Sequence, residues 1–142
     1  MKRTLLALAL ALITPAAQSA PTDGEVEAHN RALQLASAFA NDGFKTRDGN
    51  WAGPIKTGES KLIQVNLYAG NQYWFCVAAT DPAKKMRVTV FDEKGAPIES
   101  EPYQEDATAA AGYSPTASGL YFVKVEEVEG EAASYCLLYA YK

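Results

Sequence analysis

The feature that most constrains the fold of this chain is a change in the spacing of its apolar residues near residue 61. Between residues 23 and 42, apolar side chains recur every three or four positions, as on one face of a helix. After residue 60, short runs rich in β-branched and aromatic residues alternate apolar with polar positions. The sequence therefore predicts a mostly β fold, an antiparallel β-sandwich or barrel, preceded by one amphipathic N-terminal helix.

Capping residues set the expected limits of the helix. Thr22-Asp23-Gly24-Glu25 matches a capping box, in which the Thr22 hydroxyl accepts a hydrogen bond from the amide of the third helical residue. Asn41-Asp42-Gly43 provides a left-handed stop. A helix is thus predicted over residues 23–42. Residues 43–60 contain five Gly or Pro and predict an irregular connection.

Turn residues divide the rest of the chain into six predicted strands. These are Lys61–Leu67, Gln72–Ala79, Met86–Phe91, Thr108–Gly112, Leu120–Glu126 and Ser134–Tyr141.

The first twenty residues match a secretory signal peptide. Lys2 and Arg3 precede an apolar run over residues 5–13, and small side chains follow at residues 17–20. Cleavage is expected after Ser19 or Ala20, leaving a periplasmic or secreted protein without a membrane anchor. We therefore divide the chain into a signal peptide (1–20), the N-terminal helix with its connection (21–54) and the β-sandwich domain (55–142).

The charge balance argues against a nucleic-acid partner. The chain has 142 residues with 13 basic and 17 acidic side chains, and without residues 1–20 the formal charge is −6. Nucleic-acid binding relies on clustered Lys and Arg, which this composition does not favour. The expected partners are instead an envelope protein or an extracellular polymer.

The strand pattern also resembles a known family. The matching motifs are Val65-x-Leu67-x-Ala69-Gly70-x-x-Tyr73-x-Phe75, Val88-x-Val90-x-Asp92-x-x-Gly95, Ser118-Gly119-x-Tyr121-x-Val123-x-Val125 and Tyr135-x-Leu137. In these motifs, residues 55–142 resemble the bacterial pre-peptidase C-terminal domain. The resemblance implies a small antiparallel β-sandwich, jelly-roll-like, of the kind appended to secreted proteases and other exported enzymes and not catalytic itself. In this chain we expect it as a free-standing module preceded by the N-terminal helix.

Candidate catalytic groups are sparse. His29 is the single histidine, so a Ser-His pair, a Cys-His pair or a two-His metal site would have to use it. The acidic residues do not converge in spacing on a glycosidase pair, although a Ca²⁺ ion in the loop over residues 99–106 stays open. No catalytic residue, metal site or cofactor is predicted, and the protein is expected not to be an enzyme. The acidic residues considered are Asp92-Glu93, Glu99, Glu101, Glu105-Asp106 and Glu126-Glu127.

Cys76 and Cys136 are predicted to form a disulfide. Counting by two from the presumed core residues places both cysteines on the opposite face of their strands. In an exported protein a disulfide is the default state of such a pair. If the two strands are neighbours, the bond would close a loop of roughly 60 residues.

The same counting predicts a second apolar sheet face that needs a cover. The N-terminal helix, with a stripe of Leu33, Leu35, Phe39 and the intervening alanines, is expected to dock across this face as part of the fold. The competing idea is that the face binds a partner and that the helix is free or exchanged with another chain. The residues assigned to the face are Trp74, Cys76, Phe91, Leu120, Phe122, Cys136 and Leu138.

An enzyme would need a cleft that contains His29 or a carboxylate pair. Among non-catalytic roles, these observations lead to a functional expectation and one alternative. We expect an exported, non-catalytic β-sandwich that serves as an accessory or protein-interaction protein of the cell envelope. The alternative is a carbohydrate- or polymer-binding module, since planar aromatic faces suit sugar rings. Such a module would need exposed aromatic side chains together at one end of the sandwich, with Trp51, Tyr103 and Tyr113 as candidates.

Overall fold

The protein is a β-sandwich of two antiparallel sheets with one N-terminal helix, as predicted. The computed structural model describes residues 19–142. The helix α1 spans Asp23–Ser37 and is followed by a 3-10 turn at Ala40–Asp42. The ten strands are β1 (Lys45–Thr46), β2 (Trp51–Ile55), β3 (Ser60–Leu67), β4 (Tyr73–Ala79), β5 (Lys85–Phe91), β6 (Pro97–Ile98), β7 (Glu101–Glu105), β8 (Thr108–Tyr113), β9 (Gly119–Glu129) and β10 (Ala133–Tyr141).

The two sheets differ in what lies outside them. The sheet that we call the helix-side sheet has the order β7-β8-β4-β10, and β1 and β2 both pair with the free side of β10, one after the other. The other sheet, which we call the open sheet, has the order β3-β9-β5-β6. The inner faces of the two sheets pack together and form the main core, whose fully buried members include Phe75, Met86, Val123 and Leu137.

The helix begins where the capping residues predict. The Thr22 hydroxyl accepts a hydrogen bond from the Glu25 backbone amide at 3.1 Å, which satisfies one of the amides left free at a helix N-terminus. The α-helix ends at Ser37, earlier than expected, but the 3-10 turn extends the helical segment to Asp42. Gly43 then adopts the left-handed conformation (φ 89°) that the sequence required there.

The helix docks on the helix-side sheet as predicted, through Leu35, Phe39 and the alanines, but Leu33 of the predicted stripe is 37% exposed. Ala28, Ala32 and Ala36 are buried against Cys76 and Leu138 on the outer face of that sheet. Because alanine side chains are small, the helix axis lies close to the strands, and no polar side-chain atom of these residues is buried beneath the helix. Two larger rings close one end of this contact.

The ring stack at that end depends on a glycine in the neighbouring strand. Phe39 stacks on Trp74 with the ring centroids 4.3 Å apart. The Trp74 ring in turn lies over Gly112, where an added Cβ would come within 2.9 Å of the ring atoms. Gly112 therefore provides the space that lets Trp74 lie flat beneath the helix.

One part of the face assignment is wrong. Phe91, Leu120 and Phe122 were assigned to the same surface as the cysteines, but they lie on the open sheet. Their strands, β5 and β9, pair with each other and not with β4 or β10. The periodicity gave the correct side of each strand, whereas membership of a sheet depends on strand order, which periodicity does not contain.

The predicted disulfide is also wrong, because Cys76 and Cys136 are unpaired. Their strands are neighbours and both thiols face the helix, as expected. The register, however, places Cys76 opposite Leu138 and Cys136 opposite Ala78, an offset of two residues. Such diagonal positions are about 7–8 Å apart, beyond the Cα separation of about 4.4–6.8 Å that a disulfide allows.

All six predicted strands are present within one to three residues of their expected limits. The connection over 43–60 is more regular than expected, since it contains β1 and β2, and β6 and β7 were not predicted. The predicted signal peptide falls almost entirely outside the described residues. Within residues 19–142, no helix is long and apolar enough to cross a membrane.

Candidate functional site

A surface cleft at one end of the sandwich brings together four tyrosines. It lies where β3, the edge of the open sheet, approaches β10 of the helix-side sheet, and its volume is about 260 Å³. We call it the tyrosine cleft; it is lined by Arg47, Asn66, Tyr68, Asn71, Tyr73, Tyr139 and Tyr141.

Sheet register and one tight turn position these tyrosines. Tyr141 and Tyr73 are direct cross-strand partners in β10 and β4, and Tyr139 lies one row further in, opposite Phe75. Tyr68 follows β3 in a turn closed by a hydrogen bond from the Asn71 amide to the Tyr68 carbonyl. Tyr68 and Tyr141 are the exposed members, at 63% and 39% relative exposure, whereas Tyr73 and Tyr139 are buried.

The hydroxyl group of Tyr73 holds the turn in place. It accepts hydrogen bonds from the Tyr68 backbone amide at 2.9 Å and from Asn71 Nδ2 at 3.2 Å. Because both acceptor positions of a tyrosine hydroxyl are then occupied by protein donors, its own proton is left for an acceptor in the cleft. The turn and the buried ring are therefore built as one unit.

Arg47 supplies the charge of the cleft. Its guanidinium carbon lies 5.4 Å from the Trp51 ring centroid and 5.2 Å from that of Tyr139, two rings that also stack on each other. Its backbone amide donates to the Tyr139 carbonyl at 2.9 Å, which fixes the residue beside β10. Cation–π contacts of this kind hold the side chain while leaving its N–H donors free.

The lining of the cleft is suited to binding. It offers two exposed aromatic faces, the side-chain amides of Asn66 and Asn71, a tyrosine O–H donor and a guanidinium. Among the described residues, no carboxyl, imidazole or thiol lines it. Its volume lies just below the range of about 300–1,000 Å³ typical of sites for drug-sized ligands, so it suits a small group such as a single sugar unit.

The aromatic residues predicted for sugar binding do not come together. Trp51 lies half-buried in β2 and contacts the cleft residue Arg47 through a cation–π interaction. Tyr103 lies on β7, at the far edge of the helix-side sheet, and its hydroxyl donates to a Glu105 carboxylate oxygen at 2.8 Å. Tyr113 is half-buried and packs against Tyr121, with ring centroids 5.7 Å apart.

Sequence reasoning missed the residues that do form the cleft. Alternation along the last strand places Tyr139 on the core face, where it is indeed buried, and Tyr68 falls among the turn residues that follow Leu67, so neither position indicated a cleft. One signal was available in the sequence. Tyrosines alternate at the end of the last strand, so Tyr141 lies on the same face as the buried residues but at the exposed end of the strand. Only the register of β10 against β4, together with the turn after β3, shows that these rings meet.

His29 lies in a separate and larger cavity of about 640 Å³, which Glu25, Val26 and Asn50 also line. Its Nδ1 atom is 3.6 Å from the Cys136 sulfur. The structure thus brings together the only histidine and one cysteine, the arrangement that a Cys-His enzyme would require.

The raised pKa and the burial of the Cys136 thiol both argue against a catalytic role for this pair. Cys136 is fully buried and does not line the cavity. Burial raises the pKa of the Cys136 thiol to about 12, and the nearby Glu25 charge acts in the same direction. Burial raises the pKa of the Cys76 thiol to about 12 as well. A nucleophilic cysteine needs a lowered pKa and access to substrate, so neither thiol has the character of a nucleophile.

The acidic residues considered from the sequence remain dispersed. Glu101 and Glu105 are exposed on β7, and Glu126 is paired with Arg87 and Lys124 on the outer face of the open sheet. Within the described part of the chain, no group of three or more His, Cys, Asp or Glu side chains is arranged to hold a metal ion.

Glu127 is the one acidic side chain in this set that is buried, at 1% relative exposure. Burial raises the pKa of its carboxyl group, and Oε2 has no hydrogen-bond partner. The Thr57 hydroxyl lies 2.6 Å from the Gly130 carbonyl oxygen and 3.2 Å from Glu127 Oε1. Since that hydroxyl has one proton and the carbonyl is the nearer acceptor, the carboxyl satisfies the Thr57 contact best as a protonated donor.

Comparison with known proteins does not place the chain in a family. No family model matches it, and no curated protein matches it. The structure alone establishes the two-sheet antiparallel fold with an N-terminal helix, and the tyrosine cleft is its main candidate site.

Proposed function

We propose that this chain is an exported, non-catalytic β-sandwich module of the cell envelope that binds carbohydrate in the tyrosine cleft. The observation that carries the proposal is the pair of exposed tyrosines, Tyr68 and Tyr141, on one small cleft with the amides of Asn66 and Asn71. Aromatic faces pack against the C–H faces of sugar rings, and side-chain amides pair with hydroxyl groups.

The exposed tyrosine rings of the cleft are carried by rigid elements, which supports a binding role. Tyr73 anchors the turn that carries Tyr68, and β10 carries Tyr141, so both exposed rings are attached to ordered elements. Binding sites on rigid elements lose little conformational entropy when a ligand arrives. Among the described residues, the lining of the cleft contains no carboxyl, imidazole or thiol, the groups most often used for acid–base and nucleophilic steps, which supports a module that binds without turnover.

The compartment and the family resemblance are parts of the same proposal. The signal-peptide pattern of residues 1–20 supports export to the periplasm or the exterior. The resemblance of residues 55–142 to the pre-peptidase C-terminal domain supports an accessory role beside exported enzymes or polymers. The two-sheet antiparallel fold is compatible with that resemblance.

The test is oligosaccharide binding by three matched tyrosine variants. We expect amide chemical shifts near the cleft to move on titration with a panel of oligosaccharides, and Tyr68→Ala and Tyr141→Ala to weaken binding about tenfold or more, since an exposed aromatic contact contributes about 1–2 kcal/mol. Tyr103→Ala is the control, because Tyr103 is as exposed as Tyr141 but lies on the distant β7.

Two results would contradict this proposal. Equal loss of binding in the Tyr103 control would place the sugar elsewhere. Absence of binding across a panel that covers neutral and acidic oligosaccharides would remove carbohydrate binding as the function.

A second candidate function is interaction with an envelope protein through the outer face of the open sheet. Leu62 on β3 is 63% exposed, and Phe91 and Phe122 are direct cross-strand neighbours that remain only half-buried. A group of exposed apolar side chains on one sheet face is typical of interaction surfaces. Replacing Leu62 by Lys should abolish cross-linking to a partner in the native envelope while leaving sugar binding intact.

A further inference from the structure

The tyrosine cleft lies at a positively charged end of an acidic protein. Lys45 is the direct cross-strand partner of Tyr141, Lys142 follows it, and Arg47 lines the cleft itself. Among the described residues, none of these three cations is in an ion pair with a carboxylate, a property that they share with Lys56, Lys84, Lys85 and Lys94.

Within the part of the chain that the structure describes, two of these cations, Lys142 and Arg47, contact backbone or aromatic groups and no carboxylate. Lys142 Nζ donates to the Asp42 backbone carbonyl at 2.8 Å and lies 4.7 Å from the Phe44 ring centroid. Arg47 is held by the Trp51 and Tyr139 rings. Asp48, the next residue, is exposed and forms no ion pair with Arg47. A guanidinium held against two aromatic rings beside a cleft retains a planar set of N–H donors for an outside group.

We propose that the ligand of the tyrosine cleft is an acidic sugar, with a carboxylate that pairs with Arg47. This inference rests on the proposed carbohydrate-binding function and specifies its ligand class. The ring of the sugar packs against Tyr68 or Tyr141, its hydroxyl groups meet the Asn66 and Asn71 amides, and its carboxylate accepts two parallel N–H bonds from the guanidinium. Arg is suited to this task because its donor geometry matches a carboxylate.

The net charge of the protein makes this arrangement selective. The mature chain carries an excess of acidic groups, which repels polyanions in general and leaves the Arg47 end as the favourable point of approach. An acidic polymer would therefore bind through a local contact, not through a broad basic surface.

The test compares uronic-acid oligosaccharides with their neutral methyl esters, which keep the same ring stereochemistry and remove the charge. The panel contains oligomers of glucuronic, galacturonic and mannuronic acid. On the unmodified protein we expect at least one acid form to bind about tenfold more tightly than its ester, because a charge-assisted hydrogen-bonded pair is lost in the ester.

Two substitutions locate the effect. Arg47→Gln should remove the preference for the acid form while weak binding of the ester persists. Arg87→Gln is the matched control, since Arg87 is an exposed arginine on the outer face of the open sheet that already pairs with Glu126. Its row of the sheet contains Ser60, at the opposite end of β3 from the cleft residue Asn66. The Arg87 variant should keep the full preference.

Each other outcome overturns the inference in a distinguishable way. Equal binding of acid and ester, unaffected by Arg47→Gln, overturns the acidic-sugar inference and leaves carbohydrate binding in place. Binding of a short poly-aspartate peptide as tight as that of the best uronate would show that charge alone is recognised, which also overturns it. Failure of every acid and ester to bind, together with neutral oligosaccharides, overturns the proposed function and this inference with it.

Discussion

The two outer faces of the sandwich carry apolar residues at equivalent alternating positions, yet one is covered and the other is not. On the helix-side sheet the outward positions hold small or compact residues such as Cys76, Ala78 and Ala110, and these are buried beneath α1. On the open sheet they hold Leu62, Phe91 and Phe122, interspersed with charged residues. The covered face combines these small residues with Leu138 and with Trp74, which lies flat over Gly112, whereas the uncovered face carries charged side chains among its apolar ones.

This difference has a physical cause. A helix covers a sheet well when small side chains on both surfaces allow the backbones to approach, because close approach maximises dispersion contacts and excludes water. On the open sheet, Lys124 lies over the Phe91 ring at 5.3 Å and Glu126 pairs with Arg87 and Lys124. Covering these charges would remove them from water at a high free-energy cost. The open sheet is therefore suited to solvent or to a polar partner.

The largest expected effect comes from enlarging a side chain under the helix. Ala32 is fully buried against the helix-side sheet. Ala32→Phe should lower the free energy of unfolding by about 3 kcal/mol, since the ring would force the helix away from the strands. Urea unfolding monitored by far-UV circular dichroism measures it.

The neighbouring residue provides the control for this substitution. Leu33 is 37% exposed, so Leu33→Phe should change stability by less than about 0.5 kcal/mol. Equal stability of the Ala32 and Leu33 variants would show that the helix does not pack on the sheet.

A smaller effect is expected at the inner face of the open sheet, where Glu127 is buried. Its ordinary carboxyl pKa of 4.5 applies to the unfolded chain, and the folded protein raises that pKa. The stabilising contribution of the protonated form is therefore complete below about pH 4.5 and is lost as the pH rises through the folded pKa. Glu127→Gln, which cannot ionise, should be more stable than the unmodified protein by about 1–2 kcal/mol at pH 8 and equally stable at pH 4.

The outward neighbour again serves as a control. Glu126→Gln removes surface ion pairs and should change stability by less than about 1 kcal/mol. A stability gain from Glu127→Gln that does not vary with pH would contradict the protonated state of that carboxyl group.

The smallest effect is expected on the outer face of the open sheet. Leu62→Gln should change the free energy of unfolding by less than about 0.5 kcal/mol, because the side chain is 63% exposed. Thermal unfolding with matched buffers measures the difference. A loss of more than about 2 kcal/mol would mean that this face is covered in solution, by a second copy or another segment, and that the contrast between the two faces is wrong.

Local sequence signals predicted the elements that depend on local chemistry. Thr22 and Gly43 marked the two ends of the helical segment correctly, and the alternation of apolar residues placed both cysteines on the covered face. These features follow from capping and side-chain direction, which the sequence contains directly.

The failures all depend on register and strand order. The segment Trp51–Ile55 contains Gly53 and Pro54, so it was expected to be irregular, yet it pairs with β10 at the edge of the sheet, where proline is tolerated. A register offset of two residues separated the cysteines. The tyrosine cleft required both the β10·β4 register and the position of the turn after β3, neither of which a single sequence specifies.

The central claim, that α1 is an integral cover over the face with the two cysteines, is tested most directly by thiol alkylation of the native protein. Cys76 and Cys136 are both fully buried beneath the helix with raised pKa values. We predict that intact mass shows no alkylation under native conditions and two alkyl groups after unfolding in urea, and that Phe39→Ala, which removes the ring stacked on Trp74, accelerates native labelling. Labelling of both thiols at the unfolded rate, or a Cys76–Cys136 disulfide in unreduced protein, would contradict the account.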